Sequence, residues 1–466
     1  MVSLRSGRYC VFIAAICFVF SSCTRYHLAA VAKTRISDRD YAFVGVRVFD
    51  GIDVRDDQTV LLHGSEVQRI APMAVVQLPD HVNIIDGKDL TLMPGLIDMH
   101  THPGMTGGMP WVRSAMDTLA TLEAFLYSGV TSIFVAQAGA GYQKLKRQIT
   151  SGIILGPRMY CAFGGLTAPG GHPIPIIEAL VPVLPRFLIE RMVPTMSNPR
   201  EAELITQRII EKSHASYIKI FYDALPEASP HLDFDSLKTA IGQARGLGVL
   251  SAVHISSSED MVDAVKAGAG IIMHAPAKDL LNSKQLAYLS AKKVPFVTTH
   301  RAWAGPPSLA GGDVTKFTRE VADSRMLVSA RQRPDNWGPQ WIRDLESRLP
   351  IYAQVSIQNT ISLIDAGVPF FPGTDCGLPG VIPGASLHDE IHDLVEAGLE
   401  PLQVLRAATA EAGRFLDPSG HLGRIAEGNA ADLILLRGDP TKDIDSLEEI
   451  EEVFVRGVPL IRYPAH

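Results

Sequence analysis

A parallel α/β barrel flanked by short strands at both ends of the chain is the fold class the sequence predicts, and three observations predict it. First, helical patterns close on glycine and run straight into an apolar strand: Leu126-Tyr-Ser-Gly129 into Val130, Gly246-Leu-Gly248 into Val249, Ala267-Gly268 into Ile271 and Ala366-Gly367 into Val368. Glycine supplies the left-handed helix stop, and the unit of helix, glycine and buried strand belongs to parallel α/β architecture. Second, the strands are continuous apolar runs, as expected where both faces are covered. Third, they number eight, and 466 residues hold a (β/α)8 barrel of ~250 residues with a smaller unit beside it.

In chain order, Arg5 and Arg8 precede an apolar run from Cys10 to Phe20, short for a membrane span and right for a signal-peptide core. Export to the bacterial periplasm or outer membrane is therefore expected. Phe20-Ser-Ser-Cys23 resembles a bacterial lipobox with Cys23 acylated, Phe20 standing where leucine is usual; cleavage near Ala30 or Ala32, or an uncleaved anchor, are the alternatives. Segments 41–49 and 59–63 read as short strands, as do 431–436 and 452–457. Barrel strands are expected at 92–100, 130–136, 158–163, 217–222, 249–254, 271–274, 295–299 and 368–374. Leu119, Leu122 and Leu126 form the i, i+3, i+7 stripe of a helix packed on such a sheet. The intervals between the third and fourth and between the seventh and eighth strands are long, and the second carries Pro306, Pro307, Gly311, Gly312 and Trp337. Long loops over a catalytic face are usually lids or specificity elements.

The formal charge of −7, with no basic run, argues against nucleic acid as a partner. Of the five cysteines, Cys10 and Cys17 would leave with the signal and Cys23 would carry lipid, so Cys161 and Cys376 remain and no disulfide framework is expected. Contact with a membrane is expected only through Cys23, and homo-oligomerisation is left open.

The chemistry is concentrated at strand ends. His100 and His102 stand at i and i+2 on an extended run and can close on one metal ion from a rigid base. Lys219, His254, His274 and Asp375 each lie at or near the end of their own apolar run, which reads as a metal site at one end of a parallel barrel. Singly, each has a bland reading: a satisfied core histidine, a turn-forming aspartate, a solvated lysine. Lys219, however, lies inside Tyr217-Ile-Lys-Ile-Phe221, where an unpaired charge is costly.

In that order, and with Leu92-Met-Pro-Gly-Leu-Ile-Asp-Met-His-Thr-His-Pro103, Gly373-Thr-Asp-Cys-Gly377 and Gly423-Arg-Ile-Ala-Glu-Gly-Asn-Ala-Ala-Asp-Leu433, the chain resembles the amidohydrolase superfamily, and in detail its imidazolonepropionase-like and metal-dependent prolidase-like branch. The resemblance implies a TIM-like (β/α)8 barrel over 91–412 and a β-sandwich composed of 34–90 with 413–466, after a signal segment 1–23. It implies two divalent ions, zinc first, with manganese, cobalt or iron accepted by the same ligands. His100, His102 and Asp375 would hold the more buried ion and His254 and His274 the other, with Lys219 bridging as a CO2-derived carbamate, since an ammonium has no lone pair. Two such ions generate a bridging hydroxide near neutral pH and polarise the scissile carbonyl, while Asp375 accepts a proton and returns it to the leaving nitrogen.

Substrate contacts are expected from three residues. His172 lies in Gly170-Gly-His172, similar to a segment of the prolidase-like branch. Tyr222 lies three past Lys219, and Arg301 could clasp a substrate carboxylate. Cys376 reads as a packing residue. The leading expectation is an exported binuclear hydrolase of an amide or peptide C–N bond in a small molecule of the Xaa-Pro dipeptide or N-acyl amino acid type. The alternatives are a mononuclear deaminase or cyclic-amide hydrolase on the same fold, and a catalytically inactive binding lipoprotein.

Overall fold

The computed structural model describes residues 25–33, 40–112, 114–180 and 185–465; the expected signal segment 1–23, with Cys23, lies outside them. Eight parallel strands neighbour one another in chain order: β1 (Leu96–Thr101), β2 (Val130–Ala138), β3 (Arg158–Leu166), β4 (Tyr217–Phe221), β5 (Leu250–His254), β6 (Ile271–Met273), β7 (Phe296–Val297) and β8 (Phe370–Phe371). The ring closes between β8 and β1, where Met99 N donates to Pro372 O (3.1 Å) and Asp375 N to His100 O (2.8 Å). Buried Asp98 stitches the same seam, accepting from His100 N, Thr374 N and Thr374 Oγ1. This is the expected TIM-like barrel.

Two strands are much shorter than 295–299 and 368–374 would give, because Pro295, Pro369 and Pro372 have no N–H to donate to a ladder. The expected first strand, 92–100, is two: Leu90–Pro94 joins the terminal sheet, Gly95 intervenes, and β1 enters the barrel. All four helix-stop glycines, 129, 248, 268 and 367, have positive φ. In the helix Thr118–Tyr127, Leu122 and Leu126 are buried as expected, whereas Leu119 is 51% exposed and faces solvent.

Side chains on alternate positions fill the barrel: Ile97, Met99, Phe134, Ala162, Tyr217, Ala252, Met273, Val297 and Phe371 form one apolar cluster with Ala412, Leu416 and Leu422. Phe415 stacks on Tyr217 and Phe371, so the helix Ala412–Leu416 plugs the barrel beneath the strand ends. The outer strand faces pack under the surrounding helices.

The terminal strands form the second sheet. Tyr41–Phe49 pairs with Val54–His63, Asn83–Asp86 and Leu90–Pro94; the last continues through Leu433–Arg437 and Ile450–Val455 to Val458–Tyr463 and Ala30–Lys33. Three partners on one strand fold the sheet over a core that includes Phe43, Val60, Leu92, Leu433 and Phe454, the small sandwich expected from both ends. Among the described residues no helix is long and apolar enough to cross a membrane. Cys161 and Cys376 are both free and buried.

Candidate metal centre

Period-two alternation aims Tyr217, Lys219, Phe221 and Asp223 into the barrel and turns Ile218, Ile220 and Tyr222 outward toward the helices. His254 ends β5 on the inward register of Ala252. His274, Thr299 and Asp375 follow β6, β7 and β8 with φ of 80°, 50° and 62°, left-handed values that re-aim strand-end side chains at a conformational cost.

The result is a continuous row of imidazoles between two carboxylates. His100 Nε2 and His102 Nε2 lie 3.2 and 2.9 Å from Asp375 Oδ1, and His274 Nε2 lies 4.0 Å from Asp375 Oδ2. Ring centroids then run from His100 to His274 at 4.6 Å, to His254 at 4.3 Å and to His172 at 4.5 Å. At the far end, Asp223 Oδ1 accepts from His172 Nδ1 at 2.8 Å, and Asp223 Oδ2 lies 3.4 Å from His254 Nε2.

Two three-residue groups emerge, each with its ligand atoms within 4.8 Å of one another: His100, His274 and Asp375, and His172, Asp223 and His254. This partition differs from the expected one, because His274 sits with His100 and Asp375 while His254 faces Asp223. Lys219 is fully buried between them and feels the charge of both Asp375 and Asp223.

The donor set fits a metal. His254 Nε2, His274 Nε2, Asp223 Oδ2 and Asp375 Oδ1 are buried, and although imidazole and carboxylate atoms approach one another at 2.9–4.0 Å, none of the four makes a well-aligned hydrogen bond among the described residues, a costly arrangement unless something else coordinates them. Burial keeps the imidazoles neutral, pushing His100 and His274 well below the usual histidine range and His254 down to about 4, so their lone pairs are available. Thr299 Oγ1 lies 2.6 Å from His274 Nδ1; with that nitrogen donating, Nε2 is left free to ligate. Burial also lowers the Lys219 ammonium to about 8.

The expected substrate contacts divide. His172 is brought to the centre by Asp223. Tyr222 is not: its hydroxyl reaches Asp263 Oδ2 at 3.5 Å and its ring packs on His231, because it has the outward register. Nor is Arg301 free for a substrate carboxylate, since Asp393 and Asp389 of the helix Ala385–Glu396 lie 3.1 and 3.7 Å from its guanidinium. Cys376 is buried, which pushes its thiol well up, as suits a packing residue. Asp223 escaped the sequence reading although Lys219, Phe221 and Asp223 continue one period-two face.

Leu225, Ala277, Trp303, Leu349 and Tyr352 form a separate apolar cluster, with Trp303 edge-on to Tyr352 at 5.4 Å. Leu225, Ala277 and Trp303 follow Asp223, His274 and His300 by two or three residues, so the segments after β4, β6 and β7 all contribute to this cluster.

Comparison with known proteins agrees with the fold. The chain is similar in structure to a Xaa-Pro dipeptidase with methionine bound in its active site, at 21% identity and TM-score 0.74 over 90% of this chain and 99% of that one. It is likewise similar to a prolidase complexed with N-methylphosphonate-L-proline (22%, 0.72, 91% and 100%) and to A. niger ochratoxinase (19%, 0.66, 90% and 95%). No curated protein matches. The amidohydrolase family model matches residues 91–460, from the strand before β1 through the last sheet. The chain belongs to the amidohydrolase family and is a hydrolase acting on carbon–nitrogen bonds of small molecules.

Proposed function

We propose that this protein is a binuclear metal-dependent amidohydrolase that cleaves an amide or peptide C–N bond in a substrate of the Xaa-Pro dipeptide or N-acyl amino acid type. The observation that carries the reading is the pair of adjoining histidine–carboxylate groups with Lys219 buried between them. His100, His102, His274 and Asp375 would hold one ion, and His254 with Asp223 would face the other. Bound divalent ions would supply an acidified water and a polarised carbonyl.

The remaining work falls to the chain. Lys219 cannot ligate as an ammonium. Attack of its neutral Nζ on CO2 forms an N–C bond and releases one proton, giving a carbamate whose two oxygens can face both groups. Asp375, within reach of His100 and His102, takes the proton of the attacking water at its carboxylate and delivers it to the amide nitrogen, which leaves poorly unless protonated. His172, oriented by Asp223, stands beside His254, where it would contact the substrate carbonyl. The prolidase and dipeptidase folds, which share nearly the whole length of this chain, support the substrate class.

The test is hydrolysis of a panel of Xaa-Pro dipeptides and N-acyl amino acids by protein reconstituted with zinc, manganese or cobalt. Turnover of at least one member, lost in Asp375→Asn, is expected; turnover confined to nucleobases or cyclic amides would move the assignment to the deaminase-like alternative.

We also propose export with lipidation at Cys23. Tyr26 is 2% exposed and Ala30–Lys33 pairs with Val458–Tyr463, so processing before Cys23 preserves packing that cleavage near Ala30 or Ala32 would remove. Mass spectrometry of the mature N-terminus is expected to find acylated Cys23, and an unmodified start at residue 31 or 33 would contradict it.

A further inference from the structure

We infer that Lys278 is the residue that receives the free carboxylate of the substrate. The inference rests on the proposed hydrolysis of dipeptides or N-acyl amino acids, whose carboxylate stands three bonds from the amide carbonyl carbon. Its anchor must therefore lie on the rim next to the ligands.

In the segments that follow β4 to β8, residues 222–233, 255–257, 274–282, 298–301 and 372–384, the lysines and arginines are Lys278 and Arg301. Arg301 is already matched by Asp389 and Asp393. Lys278 has no carboxylate within 4.0 Å among the described residues. Its neighbour Asp279 is turned away, its two oxygens accepting from the Ser258 N–H (2.9 Å) and hydroxyl.

The position of Lys278 is built rather than incidental. Its backbone N–H donates to Ser256 O at 3.1 Å, two residues beyond His254. Buried Asn359 holds the segment on both sides, donating to Pro276 O and Asp279 O (2.9 Å each) and accepting from Leu281 N (2.9 Å). From this fixed base Lys278 Nζ reaches past the end of β5 to donate to Ala224 O at 2.6 Å, and Ala224 directly follows Asp223. The side chain thus links the loops after β4 and β6 across the strand that carries His254. An ammonium has three donors, and the Ala224 carbonyl uses one, which leaves two N–H groups and a full positive charge for an anion.

The experiment compares Lys278→Met and Lys278→Arg with the wild-type full-length, metal-loaded protein. The substrates are the best-cleaved member of the dipeptide and N-acyl amino acid panel and the C-terminal amide of the same compound. For the free acid, Lys278→Met is expected to raise KM by about 10- to 100-fold with kcat changed by less than about 3-fold, and Lys278→Arg to recover most of the loss. For the amide, kcat/KM in Lys278→Met should fall by far less than for the free acid, so that the acid-to-amide ratio drops by about 10- to 100-fold. Metal content and melting temperature serve as folding controls, and the acid-to-amide ratio within each variant cancels any loss of folded protein. An unchanged ratio in Lys278→Met would overturn the inference while leaving the proposed reaction intact. Wild-type protein that cleaves no panel member would overturn both.

Discussion

At the residue scale, the candidate metal centre depends on side chains that touch its candidate ligands as much as on those candidates themselves. Thr299 faces His274 Nδ1 from a left-handed backbone position, so Thr299→Val should weaken metal binding by about 10- to 100-fold, measured by competition with a chelator, with little change in melting temperature of the metal-free protein. Unaltered affinity would mean that the tautomer of His274 is fixed otherwise. Tyr222 carries the opposite expectation. Its hydroxyl is spent on Asp263, so Tyr222→Phe should keep kcat/KM within about 3-fold of wild type, and a loss of two orders of magnitude would restore it as a substrate contact. The six ligand candidates were legible in the sequence because each lies at or near the end of an apolar run or, for Lys219, inside one. Asp223 was not, since an aspartate just past a strand looks like a turn former until the inward register of Lys219 and Phe221 is followed one step further. Arg301 was misplaced for a different reason: its partners Asp389 and Asp393 lie about ninety residues away in sequence.

At the element scale, the barrel closes on small residues. A Cβ at Gly373 would stand 2.4 Å from Val297 Cγ1 and 2.9 Å from His100 N, where β8 approaches β1. Gly373→Ala should therefore destabilise the protein by about 1–3 kcal/mol in denaturant unfolding and lower its metal content, because relieving the clash displaces both Val297 and the backbone of His100. The helix Ala385–Glu396 packs on the barrel through His388, fully buried, with Nε2 donating to Ser128 O at 2.8 Å. Burial holds this imidazole down to about 3 against 6.5 in the free chain. Between those values the unfolded chain binds a proton that the folded chain does not, so the stability this group contributes is complete above pH 6.5 and lost as pH falls. His388→Gln should flatten the acid limb of the stability profile by up to about 1.4 kcal/mol per pH unit between pH 6 and 4, and an unchanged slope would contradict the assignment. Helix stops were readable from Gly129, Gly248, Gly268 and Gly367; the lengths of β7 and β8 were not, because apolar periodicity ignores what Pro295, Pro369 and Pro372 remove from the ladder.

At the scale of the whole molecule, the first and last described strands, Ala30–Lys33 and Val458–Tyr463, pair in one sheet and the barrel lies between them in sequence, with its interior plugged below by Ala412–Leu416 and its candidate ligands gathered above. Fold and family were legible because the motifs near His100, Asp375 and Gly423 lie in register with that architecture. The grouping of the candidate ligands into two clusters was not, since it depends on how far each imidazole reaches across the barrel. The central claim is that two ions share Lys219, and counting metal per chain in the purified full-length protein and in Lys219→Ala, with 13C NMR after exposure to 13CO2, tests it most directly. Two ions per chain and a carbamate resonance in the wild type, with at least one ion and the resonance lost in the variant, is the predicted result. One ion in the wild type, or two retained in Lys219→Ala, would contradict the bridged centre.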